Sequence, residues 1–336
     1  MSNCNKLFLD YKQNLQIKKE KKDRLKKSKD DLRAKIEKHF KENHPDYVPK
    51  FWIQGSYKMK TTILTKDDEC DLDDGVYFRR EEEVSGTTLQ EWVRDAVEGA
   101  TSTPIQHRKK CIRVIYKADY HIDFPVYYFP KGNSHPLLAV KGSDLEESDP
   151  KELYEWFNEQ KDKNGQLHRT VSYLKGWGDN IRNKMPSGLS MTILASNNFS
   201  EEERDDVSLK ETLKRINSSL KDNFSCVVPA TPHDDLFEKY DDEKKDHFMN
   251  ELNSFMNDAI EAVENESNQL KASRLWRKHL GENFPIGRDE NIDQKEAALK
   301  RLTEKVLAGN AFTQRDGGIT EDSTGVQNKP HTNYGG

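Results

Sequence analysis

Cysteine is scarce in these 336 residues: Cys4, Cys70, Cys111 and Cys226 lie far apart and form no CxxC pair. Such spacing argues against a disulfide framework and a structural zinc site, and suits reduced thiols in a cytosolic, cytoplasmic protein. Long apolar runs are missing as well. Nothing approaches the roughly 20 residues that span a bilayer, so no membrane role is expected. The opening stretch MSNCNKLFLDYKQN has no basic segment followed by an apolar one, so no secretion signal is expected either. Neither charge sign dominates: 54 Lys+Arg against 59 Asp+Glu leave a net charge of −5. That balance does not suit a nucleic-acid coat protein, yet it leaves room for a local anion site. The patterns GxxxxGK[ST], GxGxxG and HExxH are absent, which removes P-loop, Rossmann and zincin readings. The ten histidines are scattered and none is expected in catalysis. His121 is expected to be structural, or to support Asp123, whose face it shares.

Charged residues make up 34% and apolar ones 33% of the chain, with a mean hydropathy of −0.99. This lean composition predicts a folded core with long solvated helices and at least one disordered segment. Residues 16–44 hold twelve Lys/Arg against six Asp/Glu. Leu25, Leu32, Ile36 and Phe40 recur there at helical spacing, which predicts an amphipathic helix with a basic outer side. It either packs on the protein or offers a surface to a nucleic acid or another polyanion. Strands are expected at 51–53, 70–78, 111–116 and 120–129, the last two as a hairpin, with a helix at 88–99 between them. Helices follow over 150–160, 167–181, 187–195, 206–223, 240–264, 268–280 and 291–306. The organisation expected is a mixed α/β lobe over 1–150, a helical lobe over 151–308, and a disordered tail over 309–336.

Chemistry concentrates between residues 54 and 75. Asp71 and Asp73 stand two apart on a strand, so both point to one face. Like charges held together repel unless a cation or proton neutralises them. A divalent cation such as Mg²⁺ uses such carboxylates together with substrate phosphates. Gly55-Ser56 directly follows a strand, where glycine allows close backbone approach and serine offers a hydroxyl. Asp123 lies inside the apolar run Ile122-Asp123-Phe124-Pro125-Val126. There it either faces solvent from an edge or completes a carboxylate triad and accepts a proton from an attacking hydroxyl.

Three strings carry a family resemblance: Gln54-Gly55-Ser56-Tyr57-Lys58-Met59-Lys60-Thr61-Thr62, Asp71-Leu72-Asp73-Asp74-Gly75-Val76-Tyr77 and Tyr120-His121-Ile122-Asp123. They resemble the cGAS/DncV-like nucleotidyltransferases of bacterial anti-phage systems, nearest the cyclic GMP–AMP synthase branch. The segments around Tyr173–Trp177, Met185–Gly188 and Val228–Leu236 look like the family's helical half. The resemblance implies a bilobal α/β (α+β) fold with a polymerase-β-like catalytic half, and synthesis of a cyclic oligonucleotide second messenger from ATP and GTP or other NTPs. It implies two Mg²⁺ ions, or Mn²⁺, on Asp71, Asp73 and Asp123, with Asp123 also as base. It further implies nucleotide contacts from Gln54, Gly55, Ser56, Tyr57, Lys58, Met59, Arg113 and Lys175, with Ser187 and Asp235 near a nucleobase. Lys175 also fits an ordinary amphipathic turn. The chain ends in Gly335-Gly336, and the resemblance implies conjugation of Gly336 by a ubiquitin-transfer-like ligase, with a downstream effector activated by the product. The readings that compete are a same-fold enzyme making linear oligoadenylate or modifying RNA ends, and a nucleotide-binding scaffold.

Overall fold

The computed structural model describes residues 2–117, 119–160, 162 and 164–328. Two helices open the chain. α1 (Asn5–Asn14) buries Leu7, Phe8 and Tyr11, and α2 (Lys19–Asn43) buries Leu25, Leu32, Ile36 and Phe40. The expected single helix over 16–44 thus starts at Lys19, and α1 was not expected. α1 also packs with the distant helical half: Phe8 meets the rings of Tyr173, Trp276 and Phe284 at 4.9–5.0 Å.

A sheet follows, built as β1 (Pro49–Gln54), a single turn of helix α3 (Gly55–Lys58), and β2 (Asp71–Phe78). Next come α4 (Gly86–Val97), β3 (Gln106–His107), β4 (Ile112–Tyr116), β5 (Tyr120–Phe124), β6 (Val126–Tyr128), β7 (Leu137–Leu138) and β8 (Glu146–Glu147). β2 is the centre. β1 runs antiparallel along one edge of it, while β5 and β6 run parallel along the other, interrupted at Pro125. Proline has no N–H to give a ladder, which explains the break in the expected strand 120–129. β4 and β5 form the expected antiparallel hairpin.

Period-two alternation divides β2 into two faces. Leu72, Asp74, Val76 and Phe78 are buried toward α2 and α4, while Asp71, Asp73 and Tyr77 face the other way. Asp74 is fully buried on the α2 side, where Arg33 donates two hydrogen bonds to its carboxylate at 2.5 and 2.6 Å. Lys21 is buried too, and donates to the carbonyls of Asp68 and Asp119. The inner side of α2 is therefore committed to packing behind the sheet.

The second half is helical: α5 (Pro150–Glu159), α6 (Gln166–Ile181), α7 (Gly188–Asn198), α8 (Asp205–Asp222), α9 (Asp242–Ile260), α10 (Gln269–Leu280) and α11 (Ile292–Leu307). Oxygen-bearing side chains cap several of them. Asp149 accepts from two backbone amides of α5, and Ser187, Asp241, Asn268 and Asn291 each accept one from the helix that follows. Trp177 and Trp276 are fully buried in this half. No helix among the described residues is long and apolar enough to cross a membrane.

Inside the segment expected to lack structure from residue 309, β9 (Phe312–Thr313) pairs antiparallel with β10 (Ile319–Thr320) and β11 (Val326–Gln327). Strands of two residues are shorter than any readable alternation, so the pattern could not reveal them. Residues 329–336, and with them Gly336, lie outside the described residues.

Candidate active site

The register of the sheet assembles the site. Gln54 of β1 pairs with Asp73 of β2, Asp73 with Asp123 of β5, and Asp123 with Arg113 of β4. This row crosses the front face of the sheet, with Asp71 and His121 paired beside it. A cleft of about 720 Å³ opens over the row, between the sheet and the helical half. Its walls include Gly55, Ser56 and Met59, all three carboxylates, Arg113 and Lys175.

Each carboxylate has a different environment. Asp71 is the most exposed, its side chain 54% accessible, and its Oδ1 lies 3.0 Å from His121 Nδ1. Asp123 is buried, and Arg113 donates to both of its oxygens, at 2.7 and 2.6 Å. Asp73 has no such partner among the described residues. Burial, followed by the charges of Asp123 and Asp71, pushes its pKa up to about 7, against the smaller pull of Arg113 and Lys175. Across the cleft, Lys175 Nζ donates to Thr61 Oγ1 at 3.0 Å. Burial and then the nearby Lys12 ammonium push its pKa down to about 7.

Gly55 permits this packing. Its φ is +62°, and a Cβ there would lie 2.2 Å from Asp73 Oδ2. Gly55→Ala is therefore expected to displace the Asp73 carboxylate and lower turnover by about 100-fold or more. Steady-state kinetics alongside thermal melting checks this, because a purely structural defect would lower the melting point without a matching fall in kcat.

The contiguous motif after β1 does not all face the cleft. α3 is a helical turn, so successive side chains fan out by about 100° each. Ser56 lines the cleft, 2.9 Å from Thr62 Oγ1. Tyr57 instead packs toward the core behind the sheet, and burial raises its pKa. Lys58 Nζ sits over the rings of Trp52 and Tyr154, at 4.3 and 5.0 Å. The Gln54 side chain touches the cleft but is tied down, donating to Tyr127 Oη and accepting from Tyr77 Oη, both at 3.0 Å. Arg113, expected to contact the nucleotide, lines the cleft and donates to Asp123.

Ser187 and Asp235, expected near a nucleobase, both hydrogen-bond backbone amides. Ser187 is the N-cap of α7, accepting from Ser190 N at 3.1 Å, and is not among the cleft-lining residues. Asp235 Oδ1 accepts from the backbone amides of Cys226 and Phe237 at 2.7 and 2.9 Å, so its carboxylate serves the loop. Its neighbour Asp234 lines the cleft. Asp234→Ala should change KM with little loss of stability, whereas Asp235→Ala should cost about 1–3 kcal/mol through two unsatisfied amides. Paired melting curves and kinetics on the two variants separate these roles. Thr61, Thr62, Asp149 and Thr192 also line the walls and were not expected there; Thr61 and Thr62 stand in the string that carries the resemblance, and Asp149 precedes a proline-led helix.

Residues 49–127, which hold all three carboxylates, match the family described as cyclic GMP-AMP synthase DncV-like, nucleotidyltransferase domain. A protein named cyclic GMP-AMP synthase from Escherichia albertii is 33% identical over 177 residues, 47% of this chain and 39% of that protein. One of the same name from Escherichia coli is 25% identical over 246 residues, 57% of this chain and 56% of that protein. The matches thus span about half the length of these curated relatives. Among solved structures, Vibrio cholerae DncV cyclic AMP-GMP synthase in complex with the linear intermediate 5′ pppA(3′,5′)pG superposes with a TM-score of 0.75. It is 19% identical, covering 85% of this chain and 98% of that one. At that identity the likeness shows the fold, a curled mixed sheet joined to a helical half. The family match thus lies on the carboxylate-bearing sheet, and the likeness in fold to the solved structures extends over most of the chain.

Proposed function

We propose that this protein joins nucleoside triphosphates into a cyclic dinucleotide or oligonucleotide second messenger, releasing pyrophosphate at each bond formed. The observation that carries the proposal is the opposed pair in the cleft. Asp73 is an acid whose charged form the site destabilises, and Lys175 is an amine whose charged form it also destabilises. A metal–triphosphate ligand relieves both at once, offering a cation to the carboxylates and an anion to the amine.

The donor set fits a hard dication: Asp71, Asp73 and Asp123 offer only oxygen and share one sheet face. Bound there, two Mg²⁺ ions, or Mn²⁺ in their place, would stabilise the charge on the attacking and leaving oxygens. The chain's own groups do the rest. Gly55 lets the backbone come close, and the Ser56 hydroxyl faces the cleft to receive a phosphate oxygen. Lys175, charged once an anion is present, holds the triphosphate. Arg113 fixes the Asp123 carboxylate, which takes the proton from the attacking 3′- or 2′-hydroxyl. That oxygen bonds the α-phosphorus, the bridging bond to the β-phosphate breaks, and pyrophosphate leaves. A second round with the linear intermediate turned over closes the ring. The cleft volume stands toward the upper end for small-molecule sites, which suits two nucleotides.

ATP and GTP are the proposed substrates, and anti-phage signalling through a nucleotide-activated effector is the proposed role. Gly336 is proposed as the point of attachment for a ubiquitin-transfer-like ligase. Deleting Tyr334–Gly336 should leave synthesis by the purified protein within about twofold and abolish covalent attachment, as read by intact-mass analysis after incubation with the ligase. The main test is incubation with all four NTPs and Mg²⁺ and mass spectrometry of the products. A phosphatase-resistant cyclic product is expected. Linear products would favour oligonucleotide synthesis or RNA-end modification by the same fold, and no product with either Mg²⁺ or Mn²⁺ and the ligase present would favour a scaffold.

A further inference from the structure

Away from the catalytic carboxylates, three side chains able to ligate a metal converge at the start of α5. His135, in the β6–β7 connection, places Nδ1 3.2 Å from Asp149 Oδ2 and 3.9 Å from Glu152 Oε2. One ligand atom from each of the three lies within 4.8 Å of the other two. All three line a second cavity of about 450 Å³ that also exposes the aromatic side chains of Trp52 and Phe129.

Each group is held in place by a partner of its own. Asp149 Oδ1 accepts from the amides of Lys151 and Glu152 at 3.0 and 3.1 Å, which leaves Oδ2 toward His135. Glu152 Oε2 accepts from Thr231 N at 2.8 Å. That bond holds the Glu152 carboxylate in place beside His135. On the far side of the imidazole, Nε2 lies 3.4 Å from Thr231 Oγ1. When that hydroxyl accepts from Nε2–H, the Nδ1 lone pair faces the carboxylates. Outer partners of this kind orient metal-binding histidines. In that tautomer a lone pair and two carboxylates face one point, an arrangement that a dication would satisfy.

We propose that His135, Asp149 and Glu152 bind a transition-metal dication, Zn²⁺ foremost, at a site that shares none of the three catalytic carboxylates, although Asp149 also lines the cleft. One imidazole nitrogen with two carboxylates suits zinc, whereas Mg²⁺ and Ca²⁺ prefer all-oxygen sets. Three protein ligands leave a fourth position for water, open to the second cavity. The ion ties the β6–β7 connection to α5 and, through Thr231, to the loop that carries Asp234 into the cleft.

The test uses full-length protein carrying Asp71→Asn and Asp73→Asn, so that the catalytic carboxylates do not contribute. After chelator treatment it is titrated with Zn²⁺ by calorimetry, and bound metal is counted by mass spectrometry. One equivalent is expected, with affinity falling at least tenfold when His135→Ala or Glu152→Gln is added. Co²⁺ should give the intense visible absorption of a four-coordinate site, and this spectrum decides the matter on the unaltered ligands if His135→Ala fails to fold. Zinc binding indifferent to His135 and Glu152, or a Co²⁺ spectrum of the hydrated six-coordinate ion, would overturn the site and leave a protonated His–carboxylate contact. Neither result touches nucleotidyl transfer, which is measured separately.

Discussion

Asp73→Asn is expected to raise the stability of the metal-free protein above pH 7 while removing its activity. The folded pKa of Asp73 is about 7 against an ordinary 3.8, so the folded protein binds a proton there that the unfolded chain has lost. Stability therefore falls as pH rises from about 4 to 7, and the full penalty stands above that window. About three pH units correspond to ~4 kcal/mol. An asparagine keeps the shape without the charge, and should recover a few kcal/mol at pH 8 and almost nothing at pH 4. Lys175 works in the opposite sense. With its pKa near 7 instead of 10.5, the unfolded chain binds the extra proton between those values, and stability rises with pH across that range. The two groups together place a minimum in their contribution near neutrality. Melting curves from pH 4 to 10 on both proteins test this, and a gain for Asp73→Asn that is the same at pH 4 and pH 8 would show that the carboxylate is not held up by its surroundings. On the proposed function, a metal–triphosphate ligand would relieve both destabilised groups.

The second large effect is expected at Arg33. Asp74 is fully buried behind the sheet, and Arg33 of α2 is its hydrogen-bonded counter-ion. Removing one member of a buried pair leaves an uncompensated charge, which typically costs about 3–5 kcal/mol. Arg33→Ala should lose that much in chemical denaturation, whereas Arg33→Ala combined with Asp74→Ala should recover most of it. Charge reversal at the exposed Lys22 and Lys26 of the same helix should change stability by less than about 0.5 kcal/mol. If the Lys22 and Lys26 reversals instead abolish activity together with a bound nucleic acid, α2 serves a polyanion as well as the core.

The carboxylate row was legible because it depends on alternation alone. Residues two apart on a strand share a face, so Asp71 and Asp73 could be placed without knowing what lay beside them. The same alternation puts Asp74 on the opposite face, where its partner Arg33 was not anticipated. What stayed hidden depended on direction or on distance along the chain. Tyr57 and Lys58 belong to the same motif as Ser56, but a turn of helix carries them out of the cleft. Ser187 and Asp235 look like ligands of a base and spend their oxygens on backbone amides. Ser187, three residues before Ser190 at the start of an apolar helix, carried a readable capping signal. The docking of α1 on the helical half joins residues more than 160 positions apart, and no local pattern reports such a contact. Cross-strand partners of Asp123 were equally out of reach, so the pairing of the Arg113 guanidinium with that carboxylate was not foreseen.

The most direct measurement is pyrophosphate release from ATP plus GTP, with and without Mg²⁺, by the unaltered protein and by the Asp71→Asn/Asp73→Asn variant. Metal-dependent release is expected from the first, and a loss of at least about a thousandfold from the second, with an unchanged circular dichroism spectrum. Equal release by both proteins would contradict the placement of nucleotidyl transfer at these carboxylates.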